Sequence, residues 1–317
     1  MVINQMKKIK IFAPATIANF IVGFDSLGAS IEAIDGSYLG EFLTISSDEK
    51  FKLEITGKYA HQLPQNPDDN IITKCVENFH RQLANKKITP QNFSLILEKN
   101  LPVCSGLGSS ASSIVAAIFA LNIYYDKVFS DEELLVLAGQ MEYIINGSIH
   151  YDNVAPCLLG GLQLITSSAK NKALPWFEDW FIIIYYPGIE TSTKMAREIL
   201  PKNIPLRDAV EYWQNFALFI DALHSDDQKL AKSLFNDELI EPHRAKLIPN
   251  FDLACKTSLE HGAIAFGISG SGPTCFAIAD SIENANKIQS SLELNMPSNE
   301  HAFTKICKIN KKGARVI

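Results

Sequence analysis

The chain has 317 residues, of which 47% are hydrophobic and 20% are charged, and its formal net charge is −6. This length is enough to bury a large core, and it predicts two domains or one large α/β unit. The net negative charge argues against nucleic acid and anionic membranes as general partners, so an anionic ligand would have to be met by local cations.

The cysteine pattern and the N-terminal segment indicate a reducing, cytoplasmic setting. The six cysteines are scattered without a C-x-x-C pair or a tight Cys/His cluster, so neither a zinc site nor a disulfide framework is expected. The first residues contain no long apolar stretch with a cleavage site. No segment reaches the roughly 18 apolar residues of a membrane-spanning helix, and we expect no membrane partner.

A strand predicted over Lys8 to Phe12 runs into an apolar segment, residues 13–28, that is interrupted by two glycines, a proline and polar side chains. This composition is typical of backbone that passes close to a ligand. Asn19 and Asp25 are the polar groups of interest in it. The alternative is that Asn19 caps a turn and Asp25 satisfies buried N–H groups.

Three further strands are predicted at 41–45, 51–55 and 93–97, and a helix is predicted through Phe79 to Leu83. Asn70 lies at the start of that helix. Its position is typical of an N-cap, which would be a structural role alone.

A glycine-rich loop follows the strand at 93–97 and leads into a helix of small residues. Gly106 and Gly108 allow the backbone to turn back on itself, and Ser109, Ser110 and Ala111 begin the helix with unpaired N–H groups and a positive dipole end. A phosphate is the usual ligand of such a site.

Two familiar glycine loops are compatible with this stretch to different degrees. A Walker A loop is excluded because no lysine follows the last glycine. A dinucleotide fingerprint is weakly compatible, since it tolerates Ala111 as its third position, but no isolated acidic residue closes a second strand at the expected distance. A glycine-rich turn without any ligand is the remaining alternative.

The next segments supply a carboxylate on a helix and a polar loop. Ser130 and Glu133 form a capping box that begins a helix reaching Ile145. Glu142 on this helix is either an ordinary half-exposed glutamate or a metal ligand on a rigid element. The following loop places three polar side chains within four residues, a density that indicates a site: His150, Asp152 and Asn153.

The second half of the chain continues an α+β pattern. Residues 167–175 are polar and aperiodic and predict a linker, and a buried strand follows at 181–186. The helix that begins near Thr193 carries hydroxyls, Lys194 and Arg197 in its first turns, which favours an anion. Helices are then predicted near 207–223 and 228–235, and Arg244 adds another cation. A Gly-Ser-Gly-Pro turn at 269–273 separates two predicted strands, and a helix from 282 and a strand at 303–309 follow.

Three segments, PATIANFIVGFDSLG, LPVCSGLGSSAS and GISGSGPT, resemble the three motifs of the GHMP small-molecule kinases in the same order. The segments GSIHYDNVAPCLLGG, TSTKMAREILP and EPHRAKLIPNF and the ending GARV resemble the homoserine kinases within this family. The resemblance runs from about Lys8 to the C-terminus. Cys104 stands where the family often has glycine, and Asn146 where a small serine is usual, and both differences concern loop shape more than chemistry.

The resemblance implies a two-domain α+β fold with the site in the cleft between the domains. The N-terminal domain, residues 1–168, would resemble ribosomal protein S5 domain 2, and the C-terminal domain, residues 169–317, would be ferredoxin-like. It implies that Mg²⁺ is held by Glu142 with Ser109 or Ser110. ATP would be bound by Asn70, Pro102, Val103, Cys104, Ser105, Gly106, Leu107, Gly108, Ser109, Ser110, Ala111 and Ser112.

The implied reaction is phosphorylation of the L-homoserine hydroxyl by ATP in threonine biosynthesis, with a homodimer common in the family. Homoserine is a zwitterion, so its site needs an anionic or carbonyl group for the ammonium and cations for the carboxylate. The resemblance places around this acceptor Asn19, Asp25, His150, Asn153, Arg197 and Arg244.

The catalytic candidates are Asn153, Arg197, Thr193 and Asp152. Phosphoryl transfer depends mostly on positioning and charge stabilisation, so a general base is not obligatory. Asp152 is the local candidate for one. Our hypothesis is that Asn153 contacts the acceptor while Asp152 is structural. The alternatives are a GHMP kinase for another small alcohol, a non-catalytic sensor of nucleotide or amino acid and, more distantly, a nucleotide-dependent oxidoreductase.

Overall fold

A computed structural model describes residues 8–64, 66–297 and 299–317, so the first seven residues of the predicted N-terminal domain lie outside the described part, as does the side chain of Asn146. The strands are β1 (Lys8–Pro14), β2 (Thr16–Ala18), β3 (Leu27–Ala33), β4 (Gly40–Ser47), β5 (Lys52–Thr56), β6 (Phe93–Glu98), β7 (Leu162–Ile165), β8 (Asn171–Leu174), β9 (Phe181–Tyr186), β10 (Ala265–Ile268), β11 (Cys275–Ala279), β12 (Phe303–Ile309) and β13 (Arg315–Val316). The helices are α1 (Ile71–Asn85), α2 (Ser109–Tyr124), α3 (Asp131–Asn146), α4 (Val154–Leu159), α5 (Thr193–Glu198), α6 (Leu206–His224), α7 (Gln228–Leu234), α8 (Glu241–Arg244), α9 (Phe251–Glu260) and α10 (Ile282–Asn295).

The first sheet has the strand order β13-β1-β4-β6-β5, in which only the β5–β6 pair is parallel. The alternation predicted for β6 is confirmed, because Phe93, Leu95 and Leu97 are buried while the residues between them are partly exposed. Helix α2 packs against β1 and β4 of this sheet, α1 and α3 pack against α2, and together they form a continuous apolar core. The small side chains of α2 allow it to lie at the centre, where almost every residue is buried.

The second sheet has the order β10-β11-β9-β12-β3-β7-β8, with β2 paired to β3. It joins the two halves of the chain, because β12 pairs with β3 from Cys307 opposite Ala33 to Ile309 opposite Ile31. The segment predicted as a linker, residues 167–175, is instead a turn followed by β8, which pairs with β7. The prediction failed because β8 is an exposed edge strand with polar residues.

Two predicted helix starts have the expected caps. Ser130 and Glu133 form the reciprocal capping box at the start of α3, with Ser130 N donating to Glu133 Oε2 over 2.8 Å. Asn70 caps α1, since its Oδ1 accepts from Ile72 N at 3.0 Å. No helix in the described part of the chain is both long and apolar enough to span a membrane.

A buried ion pair between Glu41 on β4 and Lys99, directly after β6, anchors the glycine loop. Lys99 Nζ donates to Glu41 Oε1 at 2.7 Å, and both side chains are at most 1% exposed. The same ammonium donates to Ser109 Oγ at 2.6 Å, at the first residue of α2. Glu41 Oε2 accepts from Asn100 N at 2.6 Å. The pair therefore holds both ends of the loop, where the chain leaves β6 and where it enters α2.

Replacing Lys99 by alanine should destabilise the protein by about 3–5 kcal/mol, because it leaves the Glu41 carboxylate buried without a counter-charge. The double variant Glu41→Gln with Lys99→Met should lose less than the sum of its single variants. Urea denaturation measures both effects. Lys10→Ala is the control, since Lys10 pairs with Glu98 on the surface and should cost about 0–1 kcal/mol. Equal losses for Lys99→Ala and Lys10→Ala would contradict the anchoring role.

Candidate active site

One cavity of about 210 Å³ brings together predicted residues from every part of the chain. It lies where the glycine loop and α2, the segment at 19–25, the loop before α4, α5, α8 and the β10–β11 turn meet. The predicted catalytic and acceptor positions all line it: Asn19, Asp25, His150, Asp152, Asn153, Thr193, Arg197 and Arg244. The loop contributes Val103, Cys104, Ser105, Gly106, Gly108, Ser109, Ser110 and Ala111.

The glycine loop requires its two glycines for both backbone conformation and space. Gly106 and Gly108 have φ angles of 83° and 64°, in the left-handed region. A Cβ atom on Gly108 would lie 2.0 Å from Thr16 Oγ1 and 2.9 Å from Asn153 Oδ1. Gly108 is the N-cap of α2 and offers no side chain to it, so the first N–H groups of the helix point towards the cavity. This is the geometry of an anion site.

The serines and the apolar residues of the loop have different surroundings. Ser109 is buried and its hydroxyl donates to Leu101 O at 3.1 Å while accepting from Lys99. Ser110 is partly exposed and lines the cavity, which makes it the better placed of the two serines for a metal ion. Three of the predicted nucleotide residues are buried and do not line this cavity: Pro102, Leu107 and Ser112.

The candidate metal ligand Glu142 is 6% exposed and lines the same cavity as Ser110. No group of three or more His, Cys, Asp or Glu side chains within the described ranges could hold a metal ion. Mg²⁺ commonly takes one or two protein carboxylates and completes its shell with phosphate oxygens and water. One carboxylate beside a hydroxyl and a phosphate loop is compatible with that mode of binding.

Asn70 lies apart from this cavity, in a second one of about 390 Å³. Its neighbours there were not predicted from the sequence: Leu53, Ile55, Ala60, His61, Pro64 and Pro67. Since the Oδ1 atom of Asn70 caps α1, the amide nitrogen is the group that can serve a ligand. Aliphatic side chains with one imidazole and one amide suit a planar heterocycle.

Asp25 and Arg197 form a bidentate ion pair inside the main cavity. Arg197 Nη1 donates to Asp25 Oδ2 at 2.8 Å and Nη2 donates to Oδ1 at 3.0 Å. His150 lies against the same guanidinium, with ring nitrogens 3.0 and 3.2 Å from Nη2. Burial lowers the pKa of His150, so its imidazole is uncharged at neutral pH.

Arg244 and Asn19 meet at the β10–β11 turn. Arg244 Nη1 donates to Gly270 O at 2.7 Å, and Asn19 Nδ2 donates to the same oxygen at 3.1 Å. Ser269 Oγ in this turn donates to Gly106 O at 2.5 Å. The turn therefore joins the glycine loop to the segment at 19–25, in addition to reversing the chain.

The segment at 19–25 is held in a strained conformation. Asn19, Phe20, Ile21 and Asp25 have φ angles of 68°, 48°, 63° and 54°, although none of them is glycine. Such residues cost on the order of 1–3 kcal/mol each and persist where surrounding contacts over-determine them. Here Asp25 N donates to Asn19 Oδ1 at 3.0 Å.

The loop before α4 places an amide and a buried carboxyl in the cavity. Asn153 Oδ1 accepts from Thr16 Oγ1 at 2.7 Å, which directs the amide nitrogen away from that contact. Asp152 is 5% exposed, and burial together with the charge of Asp25 raises its pKa to about 7. Thr193 Oγ1 lies 3.4 Å from Ser271 Oγ across the cavity mouth.

Lys194 does not contribute to the anion site predicted at the start of α5. Its side chain is exposed and lies 3.9 Å from Glu198, whereas Arg197 turns into the cavity. Sequence reasoning also missed Thr16, which orients Asn153, and the Glu41–Lys99 pair. A glutamate within the apolar run of β4 was the signal available for that pair.

Comparison with known proteins places this site in a family. Residues 70–161 match the family model for the N-terminal domain of GHMP kinases, and residues 218–298 match the model for the C-terminal domain. The chain is 33% identical to a homoserine kinase from Cytophaga hutchinsonii, whose crystal structure matches with a TM-score of 0.89 over 100% of both chains.

Two more distant structures share the fold. A candidate homoserine kinase from Listeria monocytogenes matches with 25% identity and a TM-score of 0.71 over 98% of this chain and 99% of its own. The mevalonate kinase of L. major, solved with R-mevalonate, matches with 18% identity and a TM-score of 0.71 over 97% and 98%. At 18% identity the likeness to the mevalonate kinase concerns the fold alone.

Replacing Asp152 by asparagine should change how stability depends on pH. The folded protein holds this proton up to about pH 7, whereas the ordinary pKa is 3.8, so the stability contributed by the group falls as the pH rises between these values. The free energy of unfolding of Asp152→Asn, relative to the parent, should therefore increase from pH 4 to pH 7 in urea titrations.

The matched control is Asp35→Asn. Hydrogen bonds from Lys305 and Ser37 hold the pKa of Asp35 below its usual range, so this carboxylate is ionised in both folded and unfolded states above pH 5. Its relative stability should be flat between pH 5 and pH 7. A flat profile for Asp152→Asn as well would show that Asp152 is ionised in the folded protein.

Proposed function

Because the chain belongs to the GHMP kinase family, we propose that it is a homoserine kinase, which transfers the γ-phosphoryl group of ATP to the hydroxyl of L-homoserine. The product is O-phospho-L-homoserine, an intermediate of threonine biosynthesis. The observation that carries the proposal is the pair of guanidiniums that share a cavity with the Asp25 carboxylate and the glycine loop.

The charges of the cavity complement an amino acid at both ends. Arg197 and Arg244 offer forked donors for a carboxylate, and such charge-assisted bonds are the strong ones. Asp25 offers a carboxylate for the ammonium, and Asn19 beside it offers an amide oxygen. Without substrate, Asp25 and Arg197 pair with each other. On binding, the ammonium of the substrate would pair with Asp25 and its carboxylate with Arg197.

The nucleotide side of the proposal depends on α2 and the second cavity. The N–H groups that begin α2 would hold the phosphates, and the Asn70 cavity would hold the adenine ring. Glu142 with Ser110 would bind Mg²⁺, which neutralises charge on the phosphate oxygens. The net charge of −6 does not oppose ATP, because the helix dipole and the arginines provide the local positive potential.

Catalysis in this site depends on positioning. Phosphoryl transfer passes through a loose transition state, so an acceptor hydroxyl held in line with the phosphate is most of the requirement. The amide nitrogen of Asn153 is directed to hold that hydroxyl, since its oxygen is engaged by Thr16. Asp152, with a pKa near 7, would be partly protonated at neutral pH, which is also what a general base would show. The structural role proposed for Asp152 therefore depends on its burial and is tested by kinetics below.

The cavity also favours a charged acceptor over a neutral alcohol such as galactose. A neutral alcohol would need no arginine pair, whereas both Arg197 and Arg244 line the cavity. Burial, and secondarily the charge of Arg197, lowers the pKa of Arg244, so holding the two cations together has a cost that Asp25 only partly offsets. This cost supports a carboxylate-bearing substrate.

Turnover with ATP and Mg²⁺ should be confined to L-homoserine in a panel that also contains L-serine, mevalonate and galactose. L-Serine has both charged groups but is one methylene shorter, so it tests the distance between the two arginines and the phosphate. A coupled assay of ADP release measures the rates. Turnover of mevalonate in preference to homoserine would refute the acceptor, and ATP binding without ADP release would indicate a sensor.

The Asp152→Asn variant should keep kcat within about tenfold of the parent, because Asp152 is proposed to be structural. Removal of a general base would instead cost about 10²–10⁴-fold. Steady-state kinetics with homoserine and with ATP measure the effect. Asn153→Ala is the comparison and should lose more, since it removes the group proposed to hold the hydroxyl. A loss of about 10³-fold in kcat with both substrates still bound would contradict the structural role of Asp152.

A further inference from the structure

We propose that Phe24 and Tyr212 are positioning residues that set the spacing of the two arginines, and thereby the preference for an acceptor with a carboxylate. The inference rests on the proposed function, since it concerns the same acceptor site. Phe24 lies in the segment at 19–25 and Tyr212 lies on α6.

The Phe24 ring is in contact with both guanidiniums. The central carbon of Arg197 and that of Arg244 each lie 5.1 Å from the ring centroid. Both distances are within the range of cation–π attraction, which reaches about 6 Å. One ring therefore attracts two cations that repel each other, and it fixes where each lies relative to the other.

The remaining contacts of the two arginines do not join the guanidiniums directly, although Arg244 Nε donates at 3.2 Å to the backbone of α5, next to Arg197. Arg197 is held by Asp25, and Arg244 is held by the carbonyls of Ala196 and Gly270. Without the ring, repulsion between the guanidiniums would favour their separation, and Arg197 would remain paired with Asp25. A carboxylate that needs donors from both would then find them too far apart.

Tyr212 holds the ring in place through the backbone. Phe24 N donates to Tyr212 Oη at 2.7 Å, across 188 positions of the sequence. The segment that carries Phe24 is strained, with Asp25 in the left-handed region directly after it. A strained segment keeps its conformation only while the contacts that hold it are present, so a hydroxyl on α6 controls a ring that contacts two arginines of the cavity.

The test compares Phe24→Leu, which removes the π face but keeps an apolar side chain, with Phe24→Tyr, which keeps the face. Phe24→Leu should raise the KM for homoserine by about tenfold or more, since two cation–π contacts are lost. The kcat and the KM for ATP should change by less than about threefold. Tyr212→Phe should raise the homoserine KM by roughly threefold to tenfold through the lost hydrogen bond. Phe24→Tyr should keep the KM and kcat of the parent.

Two competitive inhibitors distinguish spacing of the arginines from general damage. L-2-Aminobutyrate has the ammonium and the carboxylate of homoserine without the hydroxyl, and 3-amino-1-propanol has the ammonium and hydroxyl without the carboxylate. Phe24→Leu and Tyr212→Phe should weaken the first inhibitor and leave the second unchanged. Equal weakening of both would overturn the proposal, because the loss would then be independent of the carboxylate.

Matched controls lie at two positions that do not line the main cavity. Phe12→Leu removes a ring that lies 4.8 Å from the Arg315 guanidinium, and Tyr125→Phe removes a hydroxyl that accepts from Gln91 N at 2.7 Å. Both should leave the homoserine KM unchanged, and an effect equal to that of the site variants would overturn the proposal.

The parent enzyme separates this inference from the proposed function. A parent without turnover of homoserine would refute the proposed function and this inference with it. A parent that turns over homoserine, with Phe24→Leu at the parental KM, would refute the inference alone. Melting temperatures of all variants show whether Phe24→Leu is folded, and Tyr212→Phe provides the test if it is not.

Discussion

The buried contact between Glu41 and Lys99 is the interaction on which the shape of the cavity depends. Burial raises the pKa of Glu41, and the ammonium of Lys99 opposes that rise, so each charge is tolerable only because of the other. Through Ser109 the same ammonium fixes the first turn of α2. Because the helix start is fixed, its N–H groups are aimed before any phosphate arrives, and no ordering is needed on binding.

A second constraint joins the acceptor side to the phosphate side. The turn after β10 receives hydrogen bonds from Asn19 and Arg244 and donates one from Ser269 to the glycine loop. Three segments far apart in sequence therefore share one short turn. A displacement of any one of these segments would change the distance between the acceptor hydroxyl and the phosphate, and an in-line transfer depends on that distance.

The sequence predicted the elements whose pattern is local. The alternation of β6, the continuous apolar run of β9 and the capping box of α3 each depend on neighbouring residues, and all three are present. Strand β3 was missed because it is buried on both faces at its small residues, which leaves no alternation to read. The motifs named most of the residues that line the main cavity, and the roles assigned to them stay predictions. The ring of Phe24 between two arginines was not predictable, because its partners come from α5, α6 and α8 and no local pattern joins them.

The pairing of β12 with β3 makes the second sheet continuous across the boundary expected between the two domains. A hinge at that boundary would have to break backbone hydrogen bonds in the middle of a sheet, so the walls of the cleft form one stiff body. Any movement that admits substrates would then involve segments outside the sheets. The short helix α5 is such a segment, and it brings Arg197 to the cavity from outside either sheet.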